Sequence, residues 1–297
     1  MTASQLMSFD MIASSIAQGW NRPCYFAMTV PSSYYLGLDP YLRLTGMVYQ
    51  VTPLVSRVDN GELAVSTDVM YDNVVNKFLW GGLDKAKPGE IYLDETVSRM
   101  VTTTRSAMID LATSLTEEGT LAKSGMVPIP AGMTPEAYSA DRFKKAKHVL
   151  DLMMEKLPTA TCPFTVQMGE QVARVYYTLS RVGGDESCLV KSNALLESEI
   201  MRYSNYLRYY QSLDASQYDR LSTYDKFVDR QYMIYLLQDY YKQCGEEKYK
   251  QIMDKLAAAG VNMQRLQSYQ QSYDSAMMQQ QAQEEPAAEE VMVGEEE

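Results

Sequence analysis

Three observations in the sequence predict a mainly α-helical chain that begins with a small α/β piece. Hydrophobic periodicity close to 3.6 residues runs from Ser66 to about residue 280. Glycines and prolines punctuate that run every few tens of residues, as they do between paired helices of a repeat array. Ahead of it, one amphipathic segment is followed by two short β-prone runs, 24–30 and 43–52. The predicted organisation is a small α/β region over 1–65, a tetratricopeptide-like region of antiparallel helix pairs over 66–280, and a disordered acidic tail over 281–297.

Residues 4–18 place Leu6, Met7, Met11, Ile12 and Ile16 on one helical face, and Asn21, Arg22 and Pro23 break the helix because proline lacks an N–H and disfavours the α region before it. The chain restarts extended from Cys24 to Val30, and this run is expected to pair with 43–52. A helix over 68–79 ends at Gly81-Gly82. A longer one starts after Asp94, whose carboxylate accepts from the free N–H groups of the first turn, and its stripe is Val97, Met100, Val101, Met108, Leu111, Ala112 and Leu115. Gly119 is its expected stop. Thr134 caps the next helix with Pro135 at its first position, and Phe143, Ala146, Leu150, Met153 and Leu157 form the inner face as far as Pro158. Further helices are expected at 168–182, 187–212, 223–244, 246–259 and 262–280, with stops at Gly183-Gly184, Gly245 and Gly260. The terminal residues, rich in Gln and Glu, have too little to bury to offset the entropy of ordering.

Composition excludes several classes of function. The net charge is −11 over 297 residues, but the seven Glu of 284–297 leave only about −4 for the rest, with no concentration of Lys and Arg suited to phosphates. Cysteines 24, 162, 188 and 244 show no metal or dithiol spacing and read as isolated buried thiols. No stretch approaches the ~20 apolar residues that span a bilayer, and the first ten residues lack the features of a signal peptide. The single histidine, His148, on a lysine-rich helix, reads as a partly exposed surface residue. Asp68, Asp94 and Glu95 suit helix N-termini, and Asp72 lies four residues after Asp68 without forming an Asp-x-Asp motif. No catalytic residue, metal ligand or cofactor is indicated. Tyrosine is abundant, 23 residues, with thirteen between Tyr203 and Tyr273. Tyr203 and Tyr210 share apolar stripes, whereas Tyr209, Tyr235 and Tyr241 sit off them and are the candidates for a binding groove.

Three segments carry a resemblance. The first is Leu6 to Val30, with Trp20-Asn21-Arg22-Pro23 followed by Tyr25-Phe26-Ala27. The second is Tyr35-Leu36-Gly37-Leu38 with Tyr41-Leu42, Gly46-Met47-Val48-Tyr49 and Pro53. The third runs from Met70-Tyr71-Asp72-Asn73 through Phe78 and Trp80-Gly81-Gly82 to Tyr92-Leu93-Asp94 with Arg99-Met100. Together they resemble the region after the last membrane span in a bacterial family of multi-pass membrane proteins of unknown function, related to protein O-mannosyltransferases. The likeness covers about the first hundred residues; beyond them only the architecture is similar. It implies a non-catalytic, periplasmic C-terminal portion of a membrane glycosyltransferase-like protein, with Met1 an internal start or the edge of a fragment. Residues 1–65 would dock on the membrane-embedded part of the same parent, with Trp20, Arg22 and Tyr25 as contacts, and the helical region would receive partners or acceptor proteins. An exposed apolar patch within 5–53 is then expected, because its natural cover is absent. The alternative from the residues alone is a free-standing tetratricopeptide-like adaptor that holds a peptide in a Tyr-lined groove.

Overall fold

The computed structural model describes residues 2–55, 64–87, 89–273 and 275. It is mainly helical with a small N-terminal sheet, as the periodicity predicts. The expected acidic tail, 281–297, lies outside the described residues. The chain divides into two compact units, residues 1–188 and 189–297, a cut that falls inside the expected helical-repeat region.

The first unit opens with α1 (Ala3–Ala17), β1 (Tyr25–Ala27), β2 (Leu42–Leu44), β3 (Val48–Val51) and β4 (Ala64–Val65). The sheet order is β1-β3-β2-β4. β1 pairs antiparallel with β3 in the register Tyr25 to Gln50, so the two expected runs do meet. The second run is itself a hairpin, because β2 also pairs antiparallel with β3, Leu42 opposite Val51. β4 joins parallel to β2. Alternation of side chains places Cys24, Phe26, Leu42, Tyr49 and Val51 on one face, where Ile12 of α1 packs among Tyr35, Leu42 and Val51.

Helix α2 (Thr67–Asp72) continues into a π-helical turn, Asn73–Lys77. That turn points the Asn73 amide at the hairpin bend, where Nδ2 donates to the Thr45 carbonyl at 2.6 Å. Helices α3 (Glu95–Lys123), α4 (Pro135–Lys156) and α5 (Met168–Gly183) form the main core. Asp94 and Thr134 are the N-caps of α3 and α4, accepting from Val97 N–H at 2.8 Å and Ala137 N–H at 3.2 Å. Gly184, with φ of 73°, closes α5. α3 and α4 run antiparallel: Glu118 late in α3 meets Arg142 early in α4, while Arg105 reaches the Leu157 carbonyl after the end of α4.

Two expectations in this region are corrected. Gly119 does not stop α3, which runs on to Lys123; a Cβ there would lie 2.6 Å from Phe143 Cε1, so the glycine lets the two helices close. Val97 and Met100 are exposed, and the buried stripe begins at Val101, where α3 packs with Leu157 and Cys162.

The second unit contains most of α6 (Glu186–Ser212), then α7 (Ala215–Asp219), α8 (Thr223–Phe227), a π-helical turn at Val228–Tyr232 and α9 (Met233–Ala258), followed by helical residues 263–273. The expected helix over 223–244 is thus interrupted by the π turn, and α7 has no counterpart among the expected helices. The break at Gly245 is present: its φ of 78° and ψ of 179° are non-helical and split α9 into two arms. The first arm runs antiparallel to α6, since Ser192 pairs with Gln243 and Tyr203 with Tyr232. The second runs parallel to it, since Lys255 reaches Glu197 and Asn262 N–H donates to Gln211.

Candidate docking surface

The N-terminal helix is held at both ends by local chemistry. Thr2 and Gln5 form a reciprocal capping box, with Thr2 N–H donating to Gln5 Oε1 at 2.8 Å. At the other end the chain turns at Gly19 and Trp20, both left-handed with φ of 68° and 62°, so the helix ends before Asn21-Arg22-Pro23 rather than at it. Trp20 N–H donates to the Ser15 carbonyl at 2.8 Å, and the Ser15 hydroxyl donates to the Arg22 carbonyl. Those bonds pin the reversal and deliver Pro23 and Cys24 to the start of β1.

The face that α1 presents inward is narrow and mixed. Its covered positions are Gln5, Ser8, Ile12 and Ser15, of which only Ile12 and Ser15 are buried. Leu6, Met7, Met11 and Ile16 point outward at 55%, 67%, 67% and 52% exposure. These side chains do not share the one face expected of them: at about 100° per residue Met7 and Ile16 lie on opposite sides of α1, so the helix carries apolar side chains on its exposed sides as well as inward at Ile12. Fully burying a side chain of this size is worth about 1.5–3 kcal/mol. Tyr25 on β1 is also half exposed. Apolar side chains within 5–53 are thus exposed, as expected, but on more than one side of α1.

Along α1 lies a groove of about 610 Å³, lined on one wall by α1 residues including Asp10, Met11, Ile12 and Ser15 and on the other by Arg22 to Phe26. Arg22 and Tyr25 thus share one surface. Trp20 is not part of it; it packs inward against the cluster of Ile12, Tyr35, Leu42 and Val51. Cys24 and Phe26 also line the groove, although the sequence does not single them out. Their place on the α1 side of β1 follows from strand alternation once the register is known.

The tyrosine candidates do not converge. Tyr209 lines a hollow of about 440 Å³ with Asn205, Tyr206, Tyr210, Leu221 and Asp225. Tyr235 instead meets Tyr273 edge-on at 5.4 Å, and Tyr241 meets Tyr249 edge-on at 5.3 Å. The other tyrosines of this unit are largely structural. Tyr218 and Tyr269 donate to the fully buried Asp229 at 2.7 Å and 3.0 Å, alongside Arg265.

Charged groups outside the groove serve packing as well. Arg142, buried between α3 and α4, pairs in a two-bond fork with Asp68 and reaches Glu118, while its guanidinium lies 4.4 Å from the Tyr138 ring centroid. Hydrogen bonding to Arg142 holds the Asp68 carboxyl below the usual range, whereas burial pushes Glu118 up. His148 is exposed and meets the Tyr71 hydroxyl at 2.7 Å through Nδ1. All four cysteines are free thiols; Cys162 and Cys188 are buried, and Cys24 and Cys244 are partly covered.

Residues 1–69 match the family model described as TMEM260-associated domain 2. The match contains α1, the groove and the sheet, and it relates this part of the chain to a domain associated with a membrane-protein family. No curated protein and no solved structure matches the chain. Among the described residues no helix is long and apolar enough to cross a membrane.

Proposed function

We propose that this chain is a non-catalytic, periplasmic portion of a membrane O-glycosyltransferase-like protein, and that residues 1–69 dock on the membrane-embedded part of the same parent. The observation that carries the reading is helix α1, whose Leu6, Met7, Met11 and Ile16 are exposed inside the segment related to a membrane-protein-associated domain. A short helix that leaves four large apolar side chains in water is suited to being covered by something else. The helical region behind it would then serve as a scaffold for partners or acceptor proteins, without chemistry of its own.

Cross-linking tests the docking. Single cysteines placed at Leu6 and Met11 in the parent protein should cross-link to its membrane-embedded helices, and Leu6→Ser, Met7→Ser and Met11→Ser together should release the soluble part from them. Failure to cross-link at either position rejects the reading. Genomic sequence upstream of Met1 is a cheaper check: in-frame apolar spans of ~20 residues favour it, and a stop codon with a separate ribosome site favours the adaptor alternative. That alternative draws on the hollow beside Tyr206 and Tyr209. It requires a peptide whose affinity falls on Tyr209→Ala.

A further inference from the structure

The outer edge of β1 is unpaired, and its geometry says what kind of segment fits there. In the antiparallel ladder with β3, Val51 N–H donates to the Cys24 carbonyl and Met28 N–H donates to the Met47 carbonyl. Backbone groups alternate sides along a strand, so Cys24, Phe26 and Met28 face β3 while Tyr25 and Ala27 face away from it. The Ala27 carbonyl is taken by Val30 N–H at 3.0 Å. Among the described residues, the Tyr25 N–H, the Tyr25 carbonyl and the Ala27 N–H make no hydrogen bond. β1 is the end strand of the sheet, and Tyr25, which carries two of those three groups, also lines the groove between α1 and residues 22–26.

We infer that the groove takes an extended segment of the partner, added outside β1 as a fifth strand. A helix laid in the groove would leave the two Tyr25 groups without partners while excluding their water. An extended segment satisfies them and presents alternate side chains to Met11, Ile12, Cys24 and Phe26. The groove carries Arg22 on its β1 wall and Asp10 on its α1 wall, so the end of the segment that meets Arg22 carries a carboxylate and no carboxylate faces Asp10. The inference rests on the docking reading and supplies its mode.

The test uses the full chain, labelled for amide NMR, and an N-acetylated Glu-Val-Thr-Val-Thr-Val amide as probe. Binding should shift and protect the Tyr25 and Ala27 amides, and N-methylation of the central residues of the peptide should weaken it at least about tenfold, or 1.4 kcal/mol. Ala27→Pro, which removes one free donor at an edge where proline is tolerated, should weaken it similarly; the N-methylated peptide on the unaltered chain carries the test if that variant misfolds. Arg22→Glu should weaken the acidic peptide and favour its Lys-ended counterpart. If an amphipathic helical peptide binds the groove and the hexapeptide does not, strand addition fails while docking stands. If neither binds, strand addition fails, and the docking reading is decided separately by cross-linking from Leu6 and Met11 in the parent protein. If the chain alone dimerises with the same two amides protected, the occupant is a second copy and the proposal is overturned.

Discussion

A methyl group has no room at Gly119. An added Cβ would sit 2.6 Å and 2.9 Å from Phe143 ring atoms and 3.2 Å from Arg142 Cβ, so Gly119→Ala forces the α3–α4 contact apart. Overpacking of this kind costs about 1–3 kcal/mol, offset in part by the ~1 kcal/mol that alanine gains in helix propensity; urea unfolding should show net destabilisation. Arg105 is the second decisive residue, fully buried, donating at 2.7 Å to the carbonyls of Leu157 and Cys162. Arg105→Met leaves both carbonyls unpaired and should cost about 3 kcal/mol or more in the same measurement. Asp185 sets an acid limb. Lys147 and Ser187 hold its carboxyl at about 2, down from 3.8, so its contribution is present above the unfolded value and lost as pH falls towards the folded one. Asp185→Asn should flatten the fall in unfolding temperature between about pH 4 and pH 2. The caps Asp94 and Thr134 were legible because a cap is a local pattern of three residues. Arg105 was not, because its partners lie 52 and 57 residues away and nothing near it in sequence announces them.

Among the helices the same contrast appears twice. The break at Gly245 was readable as a glycine between two periodic stretches, and the structure gives it a conformation that favours glycine, φ 78° and ψ 179°. Gly245→Ala should cost about 1–3 kcal/mol, seen as a lower urea midpoint with loss of the fold-back of the two arms of α9. Helix α1 was readable only as amphipathic. Its periodicity does not say which residues turn inward: of its apolar side chains only Ile12 is buried against the sheet, beside Ser15. Likewise the run 43–52 was legible as β-prone but not as a hairpin, since the bend at Thr45–Met47 is held by Asn73 from a later element.

For the molecule as a whole, the division into two compact units makes a further prediction. Residues 1–188 contain their own sheet, the α3–α5 core and the buried Arg105 and Arg142 networks, so a chain ending at Cys188 should fold alone and melt in a single cooperative transition by circular dichroism. A broad, non-cooperative melt would show that this unit depends on residues 189–297 for its stability.

Local pattern was enough to establish the helical class, the position of most helices and their caps, and a small sheet at the start, because propensity, capping and periodicity act over a few residues. Tertiary packing alone settled that α1 leaves most of its apolar side chains exposed, that Trp20 is partly buried against the cluster of Ile12, Tyr35, Leu42 and Val51, that Gly119 is a contact and not a stop, and that β1 ends the sheet with free backbone groups. Each of those depends on which distant element fills the space beside a residue, and no local pattern encodes that neighbour.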